Sequence, residues 1–229
     1  VLESRSSAVI SAGFAIAAAS VLLSCGGENS EAKSPKPSAL QTPVAPNALR
    51  SPDDFSSIQD RTERSRALFM EASRVITSPR CINCHPSDDS PRQREAQEMH
   101  DPPVTRGPHD EGVPGAQCTT CHQDENVELA RVPGAPKWHL APIEMAWLGK
   151  SVPDICVQIK DPNRNGHRSL AQLVDHAKND KLVAWGWKPG ADRIPAPGTQ
   201  ERFGALVEAW VQTGAACPEK TVASLEATK

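Results

Sequence analysis

Cys81-Ile82-Asn83-Cys84-His85 and Cys118-Thr119-Thr120-Cys121-His122 are two copies of one pattern, C-x-x-C-H. That pattern is the attachment signal of c-type haem. Two thiols three positions apart each form a thioether with one haem vinyl group, and the following imidazole becomes the proximal iron ligand. The alternative is a zinc site, because two C-x-x-C pairs offer four thiolates. Here 33 residues lie between Cys84 and Cys118, more than the common 15–20, and each pair is followed at once by His. The pattern therefore favours two covalently bound haem c groups, held by Cys81, Cys84, His85, Cys118, Cys121 and His122.

Composition agrees with a fold that needs help from a cofactor. Among 229 residues only 38% are hydrophobic and 4% aromatic, with 21 prolines and no tyrosine. An apolar share below the usual ~45–50% argues against a large all-protein core and against a polytopic membrane protein. A formal net charge of −3 gives no reason to propose a nucleic-acid partner.

The N-terminus reads as a targeting segment. Residues 8–23 form an apolar run after Arg5, shorter than the ~20 residues that span a bilayer. The run ends Leu22-Leu23-Ser24-Cys25-Gly26, which resembles the lipobox of bacterial lipoproteins. Residues 1–24 are thus expected to be a signal peptide and Cys25 a lipid anchor; a plain cleaved signal with a free Cys25 is the alternative. Residues 25–50, rich in proline and serine, read as a disordered tether reaching roughly 30 Å. The chain is expected to be exported to the periplasmic side of a bacterial membrane. Gly26 offers no aspartate-type retention signal, which leans towards the outer membrane.

Seven cysteines then divide into one anchor, four thioethers and a remainder of two, Cys156 and Cys217. In an oxidising compartment an even remainder points to a disulfide, with two buried free thiols as the alternative. The sixth iron ligands are sought among the other histidines. His100 lies 15 positions after His85 and His139 lies 17 after His122, and each begins H-x-x-P. A proline-stiffened loop holds an imidazole rigidly. His100 and His139 are the distal candidates, in either pairing, with His176, Met145 and Met99 as rivals. His109 and His167 read as solvated.

The fold expected is mainly α, with extensive irregular Pro/Gly-rich loops. Helices are expected at 52–76, 91–99, 142–148, 152–159, 170–178 and 200–213, and no strand is convincing. In the last helix Thr199 is the cap, Phe203, Leu206, Val207, Trp210 and Val211 share one face, and Gly214 ends it. The domain is bounded at 51–218, its C-terminal helical part at about 142–218, and 219–229 read as a flexible tail. The five tryptophans, Trp138, Trp147, Trp185, Trp187 and Trp210, all follow the second motif. They are expected to pack against porphyrin edges or to form an ordinary core.

Several segments between about Arg66 and Pro218 resemble a family of exported dihaem cytochromes c often labelled as isoquinoline 1-oxidoreductase subunits. They include Ser78-Pro79-Arg80-Cys81, His100-Asp101-Pro102-Pro103, Trp138-His139-Leu140-Ala141-Pro142, Met145-Ala146-Trp147 and Leu182-Val183-Ala184-Trp185-Gly186-Trp187. One departure is 87–98, where the resemblance implies a glycine-bearing loop and this chain has a charged stretch. The resemblance implies a small cytochrome c-like dihaem domain that transfers electrons beside a dehydrogenase of the molybdenum hydroxylase type. No Ser-His-Asp or paired-carboxylate arrangement is recognisable, so the chain reads as an electron carrier with redox partner proteins rather than an enzyme. The alternative is a haem enzyme or gas sensor with one open iron position.

Overall fold

The computed structural model describes residues 44–220. The signal peptide, Cys25 and most of the tether and tail lie outside the described residues. Helices dominate the described part: α1 (Arg61–Ile76), α2 (Pro79–Ile82), α3 (Cys118–Cys121), α4 (Val152–Lys160), α5 (Leu170–Asn179), α6 (Lys181–Trp185) and α7 (Gln200–Gln212). Two hairpins of two-residue strands interrupt them: β1 (Arg92–Gln93) with β2 (Glu98–Met99), and β3 (Gly112–Val113) with β4 (Ala116–Gln117). None of the described helices is long and apolar enough to cross a membrane.

The core lies where α7 packs against α1 and α5. On α1 the residues Leu68, Phe69, Ala72, Val75 and Ile76 are buried, at the i, i+1, i+4, i+7, i+8 spacing of one helical face. Phe203, Leu206, Val207 and Trp210 answer from α7, and Phe69 meets Trp210 with ring centroids 5.0 Å apart. Ser65 is buried and satisfied: its hydroxyl donates to the Trp210 carbonyl (3.2 Å) and accepts from the Ala216 amide (2.9 Å). Where α5 crosses α7 there is room only for glycine. A Cβ on Gly204 would stand 3.1 Å from Lys178 Cα. Cys156 and Cys217 are joined as a disulfide across 61 positions, tying α4 to the chain after α7. Closing a loop of that length stabilises by about 4 kcal/mol in the chain-entropy account.

The helix expected over 52–76 is two elements. Pro52–Phe55 forms one 3₁₀ turn, with the Ser51 amide bonded to the Asp54 carboxylate at 2.7 Å. Asp60 then caps α1, accepting from the Glu63 amide at 2.8 Å. A strong cap five residues from the end of the first turn, after Ser56 and Ser57, outcompetes a continuous helix. The helix expected over 91–99 is instead the β1–β2 hairpin, and this hairpin and β3–β4 supply short strands where none is expected. Contacts to the first motif select the hairpin. Arg92 N donates to Asn83 O (3.1 Å) and Asn83 Nδ2 to Arg94 O (2.9 Å). With no glycine available, Arg94 and Gln97 take positive φ, 60° and 57°. The 142–148 segment is a single 3₁₀ turn, Ile143–Met145, in an otherwise extended strap. The α6 helix had no counterpart in the expectations. Asp180 nucleates it by accepting from the Leu182 (2.8 Å) and Val183 (3.2 Å) amides.

The ends of the domain reach further than the sequence divisions. Residues 46–50 are bound to α1 rather than free: Arg74 donates to the carbonyls of Ala48 (2.7 Å) and Pro46 (2.8 Å), and Arg50 N to Glu71 (3.0 Å). At the other end Glu219 pairs with Arg66 (2.9 Å) and Lys220 with Asp154 (2.6 Å).

Candidate functional site: two C-x-x-C-H centres

Each motif coils its two cysteines into one helical turn. In the first, Ser78 and Pro79 start α2, and the Cys84 and His85 amides bond back to Cys81 O (3.1 Å) and Ile82 O (3.0 Å). In the second, the β3–β4 hairpin delivers Cys118 into α3, and His122 N bonds to Cys118 O at 2.9 Å. One turn of helix places the two thiols of a C-x-x-C on the same side. None of the four motif cysteines is in a disulfide.

The histidines that close the motifs are held alike. His85 Nδ1 lies 2.7 Å from the Met145 carbonyl oxygen, and His122 Nδ1 lies 2.7 Å from that of Pro133. A carbonyl only accepts, so each Nδ1 carries the proton and each Nε2 keeps its lone pair. That is how a metal-ligating imidazole is oriented from behind. Each ring is also clamped by an indole. Trp147 stacks on His85 with centroids 3.5 Å apart and planes 3° apart; Trp138 stacks on His122 at 4.5 Å and 7°. Burial pushes the His85 imidazole down to about 3 and lowers that of His122. Both are neutral near pH 7, the form that binds iron. Burial likewise pushes the Cys81 thiol up to about 12 and the Cys84 thiol up to about 11, and raises that of Cys118.

A single strap, residues 138–148, builds both centres. Trp138 serves His122, and Trp147 and the Met145 carbonyl serve His85. Between them Leu140 N bonds to Asp110 O (2.8 Å) and Ala141 N to Cys84 O (3.0 Å), while Trp147 N bonds to His85 O (2.9 Å). Buried Arg106 reinforces the same junction, bonding Asp110 (2.5 Å), the Asp88 carbonyl (3.2 Å) and the Ala141 carbonyl.

The surroundings differ. Cys81, Cys84 and His85 line a cavity of about 490 Å³ whose other walls include Phe69, Ile76, Trp187, Phe203 and Trp210. That volume falls in the ~300–1,000 Å³ range of cofactor and ligand pockets. The second motif lies on the surface. No residue of α3 is buried, and Cys121 is exposed.

The distal candidates are distributed crosswise. His100, which follows the first motif, stands beside His122 of the second, with ring centroids 5.9 Å apart at 68°. His139, which follows the second motif, lines the cavity with His85. Both point Nδ1 at a local carbonyl, His100 at Pro102 (2.8 Å) and His139 at Lys137 (2.5 Å), so both leave Nε2 free. His176 lines the same cavity from α5 and is oriented by the Asp180 carboxylate at 3.0 Å. Met145 is buried and serves His85 through its carbonyl, whereas Met99 is exposed with its sulfur against Arg92. His109 and His167 are exposed, although His109 reaches the rim of the cavity.

The residues fit a c-type haem better than zinc. Among the described residues no group of three or more His, Cys, Asp or Glu is arranged to hold a metal ion, so the two cysteine pairs do not converge on one tetrahedral site. What is present is two separate thiol pairs, each followed by an imidazole with a free Nε2. Sequence reasoning missed the Met145 and Pro133 carbonyls and the indole clamps; the only signal was the position of Trp138 and Trp147 after the second motif. Compared with protein-family models, curated proteins and solved structures, the chain matches none of them.

Proposed function

We propose that this chain is a dihaem c-type cytochrome that carries single electrons between a dehydrogenase and a downstream acceptor. The observation that carries the reading is the shared construction of the two C-x-x-C-H sites: Nδ1 on a carbonyl, Nε2 free and one face of the ring on an indole. Cys81, Cys84, Cys118 and Cys121 would hold two haems covalently, and His85 and His122 would be their proximal ligands. A haem supplies an iron that changes oxidation state by one electron. The chain's own residues do the rest. The carbonyls of Met145 and Pro133 fix the imidazole tautomers, Trp147 and Trp138 fix the ring planes, and the strap ties one centre to the other. His100 is the distal candidate for the second centre, and His139 or His176 for the first. The exposed second motif suits exchange of electrons with a partner, and the cavity-bound first motif suits retention. By the resemblance noted above, the donor would be a dehydrogenase of the molybdenum hydroxylase type. Attachment by Cys25 would confine the carrier to the periplasmic face of a membrane.

The test is expression with a haem-attachment system, followed by haem staining on a denaturing gel and intact mass. Two covalent haems per chain are expected, with one lost in a Cys81→Ser/Cys84→Ser variant and one in a Cys118→Ser/Cys121→Ser variant. A colourless chain that binds zinc stoichiometrically through these cysteines would overturn the reading.

A further inference from the structure

After the second motif the chain builds an apolar tip and holds it out into solvent. Val127 and Val132 bridge each other, amide to carbonyl in both directions (2.9 and 3.3 Å), and Glu128–Ala130 makes a 3₁₀ turn between them. The base of the tip is braced. Asn126 accepts from the Gly134 amide (2.9 Å) and the Trp185 indole (3.0 Å), and donates to the Lys188 carbonyl (3.0 Å). Glu128 accepts from the Ala191 amide at 2.9 Å. Gln123 donates to the carbonyls of Thr119 (3.2 Å) and Thr120 (3.3 Å), which ties the same loop to α3. At the end of this brace Leu129 is fully exposed and Val127 is exposed beside it. A single exposed leucine is ordinary. One held out on a braced turn loses little freedom when a partner covers it.

The charge around the tip is unbalanced. Elsewhere exposed carboxylates such as Glu63, Asp88, Glu98 and Asp192 are spent in ion pairs. Asp101, Glu111, Asp124 and Glu125 are exposed and form no ion pair among the described residues. They come from three segments that border the second centre. Asp101 follows His100, whose ring stands 5.9 Å from His122; the Glu111 carbonyl accepts from the Cys118 amide (2.8 Å); Asp124 and Glu125 follow His122 directly. Between residues 95 and 130 the only Lys or Arg is Arg106, which is buried on Asp110, and Arg131 just beyond is paired with Asp192. An apolar centre with a charged rim is the anatomy of a protein interface. Unpaired charge of one sign steers an oppositely charged partner and turns away one of like charge.

We propose that the Leu129 tip and the carboxylates of Asp101, Glu111, Asp124 and Glu125 form a docking face for a protein that presents lysines or arginines around an apolar contact. The inference deepens the cytochrome reading and rests on it: the partner is the redox protein that exchanges single electrons with the second centre.

The test uses the reduced, haem-loaded protein with two oxidised acceptors, a lysine-rich monohaem cytochrome c and an acidic blue copper protein. Each turnover moves one electron from chain to acceptor, and stopped-flow mixing gives the rate constant. The basic acceptor is expected to react about tenfold faster or more at low salt, with the advantage fading as salt screens the charges. Glu111→Lys/Asp124→Lys/Glu125→Lys should remove the advantage, and Leu129→Ser should slow the basic acceptor by up to about tenfold. Asp53→Lys, on the exposed turn Pro52–Phe55, should change neither. A second readout is independent of electron transfer. Amide shifts of the nitrogen-labelled chain, titrated with the oxidised basic cytochrome, should cluster at residues 101, 111–113 and 118–132. Loaded wild type with no preference, with a preference for the acidic acceptor, or with a preference that survives the triple reversal would overturn the docking face alone. So would amide shifts confined to other surfaces. If phosphatidylcholine vesicles shift Leu129 and the basic cytochrome does not, the tip is a lipid contact and the proposal fails. Wild type that attaches no haem would overturn the cytochrome reading itself.

Discussion

The two C-x-x-C-H centres share their construction and differ in their surroundings. At the first, thiols and imidazole line a cavity walled by the helical core; at the second, the motif rides on a hairpin with no buried residue in its helical turn. The same five-residue pattern can thus be a foundation of the fold or an attachment to its surface. The charge differs too. Residues 107–130, which surround the second motif, contain five carboxylates and no Lys or Arg. The first cavity has Arg80 in its wall.

On the proposed reading, the largest expected difference comes from preventing haem attachment. Cys81→Ser/Cys84→Ser should leave the cavity unfilled and lower stability by several kcal/mol, since empty apolar volume costs about 24 cal/mol per Å³. The equivalent change at Cys118 and Cys121 should cost well under half as much. Urea midpoints of the two variants check this, and equal losses would erase the contrast between the centres.

Next comes the disulfide. Cys156→Ala/Cys217→Ala should cost about 4 kcal/mol by the loop-length argument. Because Cys156 is on α4, in the core beside the cavity, the spectrum of the first centre should change before that of the second as the variant is heated.

Gly134→Ala sharpens the comparison from the other side. A Cβ there would stand 2.1 Å from Glu125 O and 2.4 Å from Gln123 O, which are backbone atoms that cannot step aside cheaply. Gly134 follows Pro133, whose carbonyl holds His122. The variant should lose about 1–3 kcal/mol, and its low-spin signal should alter at the second centre only.

The smallest effect concerns acid. Asp180 is held at about 2, chiefly by the hydrogen bond from His176 and also by its charge and by the α6 amides. Its folded value lies below the ordinary 3.8, so the stabilisation is complete above about pH 4 and fades as pH falls towards 2. Asp180→Asn should therefore be less stable than wild type at pH 5, and the gap in urea midpoint should close as pH falls below 4 towards 2. A gap that persists at pH 2 would contradict this assignment.

Much of the candidate site was legible because its chemistry is carried by side-chain identity. Cys81 to His85 and Cys118 to His122 announce themselves by spacing, and the count of seven cysteines singled out Cys156 and Cys217, which the structure joins. The α7 helix was legible too, since the Thr199 cap accepts from Arg202 N (3.1 Å) and the apolar face is regular. The hairpin at Arg92–Met99 was not. Its local composition allows a helix, and the bonds that decide against it come from Asn83, nine positions upstream of Arg92. Nor was the orientation of His85 and His122. Their partners are main-chain carbonyls, which every residue possesses, so no residue type marks them. The crosswise placement of His100 and His139 depends on how the strap passes between the motifs, a tertiary fact without a local signature.

The central claim, two haem centres unlike in setting, is tested most directly by a redox titration of the loaded protein followed by low-temperature electron paramagnetic resonance. The account predicts two low-spin signals that titrate at separate potentials. The cavity centre should be the higher, because burial and a nearby cation disfavour the ferric charge, while exposure and carboxylates favour it at the second centre. A single wave with one signal, or a cavity centre that titrates below the surface centre, would contradict it.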